Sequence, residues 1–198
     1  MGYRLSFTQH HLDSDCELFE SALPSEIQPD FDGLWSLHPE SFARITIHGR
    51  EVPIPRWQQA YGADYYFSEQ VSRALPIPDS LVPILDWSTI EIDSRLNGLL
   101  LNWYDGSLGH YIGPHRDSTK DMAPGAPIVT VSLGESRIFR LSSVKGTEKF
   151  DFEAKNGTVF VLPQETNQCW KHEVPKRASQ KGRRISVTLR AFEQKSQR

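Results

Sequence analysis

The sequence predicts a mainly β protein, a sandwich or barrel with a jelly roll among the leading choices. Seven short segments follow one another between residues 98 and 192: GLLLNWY, PIVTVSL, SRIFRLS, KFDFEA, TVFVLP, CWKHEV and RRISVTLRAF. Each is rich in β-branched and aromatic residues, and Gly, Pro, Asn or Ser separates it from the next, the pattern of strands joined by turns. At 198 residues the chain fits one domain, 1–198, with ample core. Within it, residues 1–95 form an N-terminal part with helices and a hairpin, and residues 96–198 form the all-β core.

Taken in order, residues 10–28 suit a short helix, with Asp13 or Ser14 as N-cap, Leu18, Phe19 and Leu23 on one face, and Pro24 as the stop. The stretch ARITIHGREVPIPR alternates and has Gly49 at its tip, so it reads as a hairpin; Pro53 and Pro55 push its second arm to a sheet edge. Residues 77–91 follow Pro76 and Pro78 and suit a second helix through Leu81, Ile84 and Leu85, with Pro83 confined to a first turn or kink. No repeat, low-complexity tract or interdomain linker interrupts this order.

Composition narrows the setting. The chain is 38% hydrophobic and 24% charged, as ordinary globular proteins are. No apolar run reaches membrane-spanning length and no secretory signal is visible, so the expected location is cytoplasmic or nuclear, with no membrane partner. Cys16 and Cys169 are too few for a disulfide framework, which points to a reducing compartment. A net charge of −3 does not announce a nucleic-acid binder. Its distribution is uneven, however: residues 1–50 carry eight acids and three bases, whereas 171–190 carry seven Lys/Arg and one acid, Glu173. Such a basic stripe could meet a polyanion, or could be a solvated surface with two arginines recruited for something small. A monomer is the favoured oligomeric state.

The chemistry concentrates in N-W-Y-D-G-S-L-G-H-Y-I-G-P-H-R-D, residues 102–117. His115 and Asp117 are two apart, so on an extended strand both side chains leave one face. A third ligand from a distant strand would complete two imidazoles and one carboxylate around iron, a set that leaves positions open for a chelating co-substrate and dioxygen. His172, in C-W-K-H-E-V-P, is the natural third ligand, on a strand whose alternation turns it away from Lys171 and Glu173. The H-x-D pair alone is unspecific. His10, His11, His38 and His48 read as structural or exposed, and His110 and Tyr111 as loop packing.

The second signal is R-I-S-V-T-L-R, where Arg184 and Arg190 are six apart and share a strand face. Two buried guanidinium groups without carboxylate partners are costly. A dianion between them removes the cost, because arginine grips carboxylates through paired N–H donors. 2-Oxoglutarate offers such a distal carboxylate and a keto-acid end that chelates iron. Spacing alone also allows two surface arginines on an edge strand.

These residues resemble the AlkB-like 2-oxoglutarate oxygenases over roughly residues 45–193. The resemblance rests on N-x-Y (Asn102, Tyr104), H-x-D (His115, Asp117), A-P-G-A-P-I-V-T-V-S-L-G (residues 123–134), W-x-H-x-V-P (Trp170 to Pro175) and R-x-S-x-T-x-R (Arg184 to Arg190). It implies a double-stranded β-helix, with Fe(II), 2-oxoglutarate and O2 as cofactor and co-substrates. His115, Asp117 and His172 would bind the iron. Arg184 would pair with the C5 carboxylate of 2-oxoglutarate, helped by Tyr104 and Asn102, and Arg190 would lie nearer the C1 carboxylate and Asp117. Ser186 stands where the family usually has asparagine, a change that tunes the site rather than removing it.

The stretch P-R-W-Q-Q-A-Y-G-A-D-Y-Y-F-S, residues 55–68, resembles the nucleotide-recognition lid of the duplex-repairing members. That match implies a flipped base stacked on Phe67 opposite the His115 ring, with Tyr65 at its polar edge and Arg56 close to the nucleic acid. Two positions depart from it: Thr119, with Ser118 before it, replaces an acidic residue that contacts the base, and His48 replaces an aromatic wedge at the hairpin tip. The resemblance therefore implies an oxidative N-dealkylase of alkylated bases in nucleic acid or a nucleotide, releasing an aldehyde, succinate and CO2. An oxygenase for a small molecule or protein and a binding protein on an inactive fold remain as alternatives.

Overall fold

A computed structural model describes residues 6–27, 29–47, 49–68 and 70–193. In chain order the elements are β1 (Thr8–His11), β2 (Glu17–Ala22), α1 (Phe31–Trp35), β3 (Arg44–Ile47), β4 (Arg50–Pro53), β5 (Trp57–Tyr61), β6 (Tyr65–Phe67), β7 (Gln70–Ser72), β8 (Ala74–Leu75) and α2 (Val82–Glu91). There follow β9 (Gly98–Asp105), β10 (Ile112–His115), β11 (Ile128–Gly134), β12 (Arg137–Ser143), β13 (Lys149–Ala154), β14 (Thr158–Leu162), α3 (Gln164–Cys169), β15 (Trp170–Val174) and β16 (Arg183–Arg190).

All seven segments foreseen after residue 96 are strands, and they build a jelly-roll core from two sheets. The larger sheet has the order β1-β2-β14-β11-β16-β9-β5-β8, and the smaller β10-β15-β12-β13. From β9 to β16 the chain passes back and forth between the two sheets, and only β12 and β13 are consecutive in one sheet, so each sheet is completed only when the chain returns to it. The N-terminal part contributes directly to this core, because β1, β2, β5 and β8 extend the larger sheet at its two ends.

Residue alternation assigns the faces. Leu99, Leu101 and Trp103 of β9, Val129, Val131 and Leu133 of β11, and Ile185, Val187 and Leu189 of β16 form one apolar cluster. Leu81, Ile84 and Trp87, on α2 and the turn before it, cover that cluster from outside. The Trp103 indole N–H donates to the Leu34 carbonyl at 2.9 Å, which satisfies a fully buried donor and ties α1 to the same face. Between the sheets, Leu18, Ile128, Leu141, Phe160, Leu162 and Trp170 fill one end. The other end of that interior is the cavity described below.

Three expectations for the N-terminal part can be compared with this arrangement. Residues 44–53 do form a hairpin of β3 and β4, with Gly49 at φ +74, a left-handed conformation that glycine adopts without strain. The second helix is present as α2, and Pro83 sits in its first turn, where a missing N–H costs nothing. The helix expected over 10–28 is not there. Residues 8–11 and 17–22 are paired strands, and Asp13 caps a turn instead, accepting from the backbone N–H groups of Asp15 at 2.9 Å and Cys16 at 2.8 Å. The short acidic side chain serves a turn as readily as a helix start. Leu18 is buried in the inter-sheet cluster while Phe19 packs against the outer one, so β2 is covered on both faces.

Leu101 is fully buried on the face away from the cavity. Leu101→Ala is expected to lower stability by about 2–5 kcal/mol through lost burial and a residual cavity. A shift of the urea-unfolding midpoint measures it.

Candidate active site

A cavity of about 630 Å³ lies between the sheets and beneath the β3–β4 hairpin. The larger sheet supplies its polar wall. Arg184, Ser186, Thr188 and Arg190, the even positions of β16, all face it, together with Asn102 and Tyr104 of β9 and Thr130 of β11. Register explains the clustering: Arg184 is paired with Tyr104, and Ser186 with Asn102 on one side and Ser132 on the other. One strand thus presents a core face and a site face in strict alternation.

The smaller sheet supplies the ligand set. β10 and β15 pair so that His115 stands directly opposite His172, with ring centroids 4.3 Å apart. Asp117 lies two residues past the end of β10, and its placement depends on Asn167 of α3. The Asn167 side chain accepts from the Asp117 backbone N–H at 2.9 Å and donates to the Asp117 carbonyl at 3.0 Å. This two-way clamp does the work that strand geometry was expected to do.

The result is one cluster in which the ligating atoms of His115, Asp117 and His172 all lie within 4.8 Å of one another. The Nε2 atoms of His115 and His172 face the same Asp117 oxygen, Oδ1, at 3.5 and 3.6 Å. His115 has its other ring nitrogen engaged by the Gly113 carbonyl at 2.9 Å, leaving Nε2 directed inward. Arg190 donates to the second Asp117 oxygen, and Tyr65 donates its hydroxyl to Oδ1 at 3.2 Å.

Burial alone would raise the Asp117 carboxyl, but Arg190, with His172 and His115, outweighs it and holds the group well below the usual carboxylate range. Burial, and then the neighbouring His115, pushes His172 below the ordinary imidazole range against the pull of Asp117. An ionised carboxylate beside neutral imidazole is the protonation state a divalent cation requires.

Arg184 is buried without a carboxylate partner. Its Nη2 donates to Ser132 Oγ at 2.8 Å, while Nε and Nη1 have no partner at all. Burial lowers its pKa to about 10, so it remains charged at neutral pH. Unmet donors on a buried cation facing a cavity fit an anionic group with two oxygens. The donor set and this orphaned guanidinium are together suited to a divalent metal and a dianionic chelator.

The remaining expected site residues divide. Tyr65 and Phe67 line the cavity with parallel rings whose centroids are 6.2 Å apart. Arg56 lines it too, but is buried and turned onto the sheet, donating to Asn102 Oδ1 at 2.8 Å and Gln58 Oε1 at 3.1 Å. Thr119 is exposed and does not line the cavity, whereas Ser118 does. His48 lies outside the described residues. Sequence reasoning missed the Tyr65 hydroxyl on Asp117, the Asn167 clamp and Thr188. Only Thr188 had a signal, since it shares the even spacing of Arg184 and Arg190.

Comparisons with known proteins agree with this geometry. The family model of the 2OG-Fe(II) oxygenase superfamily matches residues 50–190. The chain is 29% identical over 190 residues to the human DNA oxidative demethylase ALKBH2, covering 89% of this chain and 72% of that protein. It is 30% identical over 162 residues to the Mus musculus DNA oxidative demethylase ALKBH2, covering 76% and 67%. The solved structure of OsALKBH1 superposes with a TM-score of 0.53 at 16% identity, over 80% of this chain and 89% of that one, a likeness of fold.

Asn167→Ala should free the Asp117 backbone while leaving all three ligating side chains in place. A loss of about 10–100-fold in divalent-metal affinity is expected, and titration with Mn(II) or Co(II) measures it; an unchanged affinity would remove Asn167 from the site.

Proposed function

The chain belongs to the 2OG-Fe(II) oxygenase superfamily as an AlkB-like dioxygenase, and from that premise we propose that it oxidatively removes N-alkyl groups from bases of nucleic acid. The observation that carries this reading is the convergence of His115, Asp117 and His172 in a cavity whose facing wall holds the unpaired Arg184. His115, Asp117 and His172 would hold Fe(II) through Nε2, Oδ1 and Nε2. Arg184 would grip the distal carboxylate of 2-oxoglutarate, with Tyr104 and Asn102 beside it and Ser186 between the two arginines. Arg190 keeps Asp117 ionised and in place next to the keto-acid end.

When bound, the metal, 2-oxoglutarate and O2 supply the oxidant: one oxygen atom ends in succinate as CO2 leaves, and the other enters a C–H bond of the N-alkyl group. The resulting N–CH2OH product loses its hydroxyl proton and breaks its C–N bond, and the nitrogen takes up a proton, giving N–H and an aldehyde. Around these events the protein positions and excludes water. Phe67 offers a stacking face, worth roughly 1–3 kcal/mol per base, on the far side of the base from the His115 ring. Tyr65 is committed to Asp117, so its contribution to the base is its ring rather than its hydroxyl.

The partner is thus an alkylated nucleic acid or nucleotide, met in the cytoplasm or nucleus by a single oxygenase domain. Among the described residues no helix is long and apolar enough to cross a membrane. A small apolar substrate is the second reading, favoured by Ile45, Val52 and Ile54 of the hairpin region, whose side chains also line the cavity.

Oligonucleotides carrying 1-methyladenine, 3-methylcytosine or N6-methyladenine are expected to lose the mass of CH2 on incubation with Fe(II), 2-oxoglutarate and O2. Succinate formation without any mass loss would favour the second reading. Arg184→Ala should raise the KM for 2-oxoglutarate by about 10-fold or more, since a charge-assisted bidentate contact is lost; an unchanged KM would remove that role. His115→Ala is expected to abolish turnover with the circular-dichroism spectrum retained, because its side chain does not fill the apolar core; Asp117→Ala should abolish turnover too, and also lower stability by about 3–5 kcal/mol, because it leaves Arg190 buried without its partner.

A further inference from the structure

Away from the cavity, the turn that joins β1 to β2 packs against the junction of α3 and β15. The Leu12 N–H closes this turn by donating to the Cys16 carbonyl at 2.9 Å, and the Cys16 N–H donates to Asp13 Oδ1 at 2.8 Å. Hydrogen bonds on two sides fasten the turn to the junction. The Glu17 N–H donates to the Thr166 hydroxyl at 3.2 Å, and that hydroxyl donates to the Glu17 carbonyl at 2.9 Å. On the other side, the Trp170 indole N–H donates to Asp13 Oδ2 at 2.9 Å. These bonds flank Cys16 and Cys169 and bring them together, so that the Cys16 thiol meets the side chains of Cys169 and Asp13.

These are the two cysteines of the chain, both unbridged, and their settings are opposite: Cys16 is buried and Cys169 is exposed. Burial first, then the nearby Asp13 carboxylate and Cys169, pushes the Cys16 thiol up to about 12, so it stays protonated and shielded from dissolved oxidants. We infer that Cys16 and Cys169 form a redox modification site, in which a peroxide oxidises exposed Cys169 and buried Cys16 resolves it into a reversible disulfide. This site is separate from the cavity and does not rest on which substrate the cavity takes.

The electron count closes on two thiols and one peroxide. The Cys169 sulfur attacks a peroxide oxygen and the O–O bond breaks; the sulfur gives up two electrons and becomes a sulfenic acid as the first water leaves. The Cys16 sulfur then attacks the Cys169 sulfur. The S–S bond forms, the S–O bond breaks, and the Cys16 proton departs with the hydroxyl as the second water. A high thiol pKa slows this second step, and contact between the two side chains offsets it, because the attack is intramolecular. In a reducing compartment such a pair rests as two thiols and closes only while oxidant is in excess. The bridge would tie the N-terminal turn to the end of α3, two residues beyond Asn167, and would close a loop of most of the chain, which restricts the unfolded state strongly.

The test treats the full chain, loaded with Mn(II) in place of iron, with stoichiometric hydrogen peroxide and follows it by mass spectrometry. The chain is expected to lose the mass of two hydrogen atoms, to yield a cross-linked pair of peptides containing Cys16 and Cys169, and to return to its first mass with dithiothreitol. The bridged form should melt higher by roughly 5 °C or more. In Cys16→Ala, Cys169 should stop at the sulfenic acid and be captured by dimedone. In Cys169→Ser, Cys16 should take up neither oxygen nor dimedone. Wild-type protein whose Cys169 is captured by dimedone with no internal bridge overturns the inference, as do disulfide-linked dimers in its place. A bridged form with an unchanged melting temperature also overturns it, since the bridge then does not join native neighbours. Dimedone capture at Cys16 in a folded Cys169→Ser overturns the assignment of the two roles.

Discussion

The site depends on burying charge inside a small β protein, and the alternation of β16 makes that affordable. Ile185, Val187 and Leu189 are fully buried in the outer cluster, while Arg184, Ser186, Thr188 and Arg190 on the opposite face are equally inaccessible from bulk solvent. A strand buried on both faces ordinarily reads as continuously apolar. Here one face carries two arginines, and their desolvation is offset by the apolar packing directly behind them and by fixed partners. Arg190 has Asp117, and its guanidinium lies 4.3 Å from the Tyr65 ring centroid. Arg184 has Ser132 and lies 5.3 Å from the Tyr104 ring. The donors left over on Arg184 are Nε and Nη1.

From this constraint the rest of the architecture follows. β9 and β11 flank β16 and repeat its division of faces, with Leu101 and Val131 behind, Asn102 and Thr130 in front. The smaller sheet then needs only to bring two imidazoles opposite that wall, and the direct pairing of His115 with His172 does so through backbone register rather than through side-chain packing. Phe139, with its ring 5.5 Å from that of His172, backs the histidine from the apolar end. The site therefore sits at the junction of a polar wall, a hydrogen-bonded ladder and a hydrophobic cluster, each fixed by a different interaction.

How much of this was legible in the sequence depended on whether a residue's environment was one-sided. The seven core strands and the even spacing of Arg184 and Arg190 were readable because their alternation is intact. β2 was not, since Leu18 and Phe19 are adjacent and both covered, which erases the two-residue period and leaves a pattern a helix would also produce. β5 was hidden for a related reason: Gln58 and Gln59 stand side by side near its centre, so Trp57 and Tyr61 are left without an alternating apolar pattern between them. The convergence of His115 and Asp117 was foreseen, but by a geometry that does not operate, because the strand ends at His115. Asn167, which places Asp117 instead, belongs to a six-residue helix with no signal of its own. Arg56 was legible as a candidate only through resemblance, and its burial against Asn102 could not be read from a position between two loop-like prolines and a tryptophan.

The division of labour at Asp117 has a further consequence for how the carboxylate can act. Arg190 occupies Oδ2, so the oxygen shared by both imidazole Nε2 atoms is Oδ1 alone. Were both oxygens free, the carboxylate could close around a cation from two sides and consume a position that a chelating co-substrate needs. Held at Oδ2, it presents Oδ1, which also accepts from the Tyr65 hydroxyl, and the set then offers three ligating atoms, one from each of His115, Asp117 and His172. The same contact ties Asp117 to β16, so the two sheets meet through one buried ion pair at the site itself. A pair buried this deeply contributes little net stability on its own, since the desolvation of both ions offsets most of their attraction. Its value is positional: it fixes which oxygen faces the histidines, and with that the number of places left open.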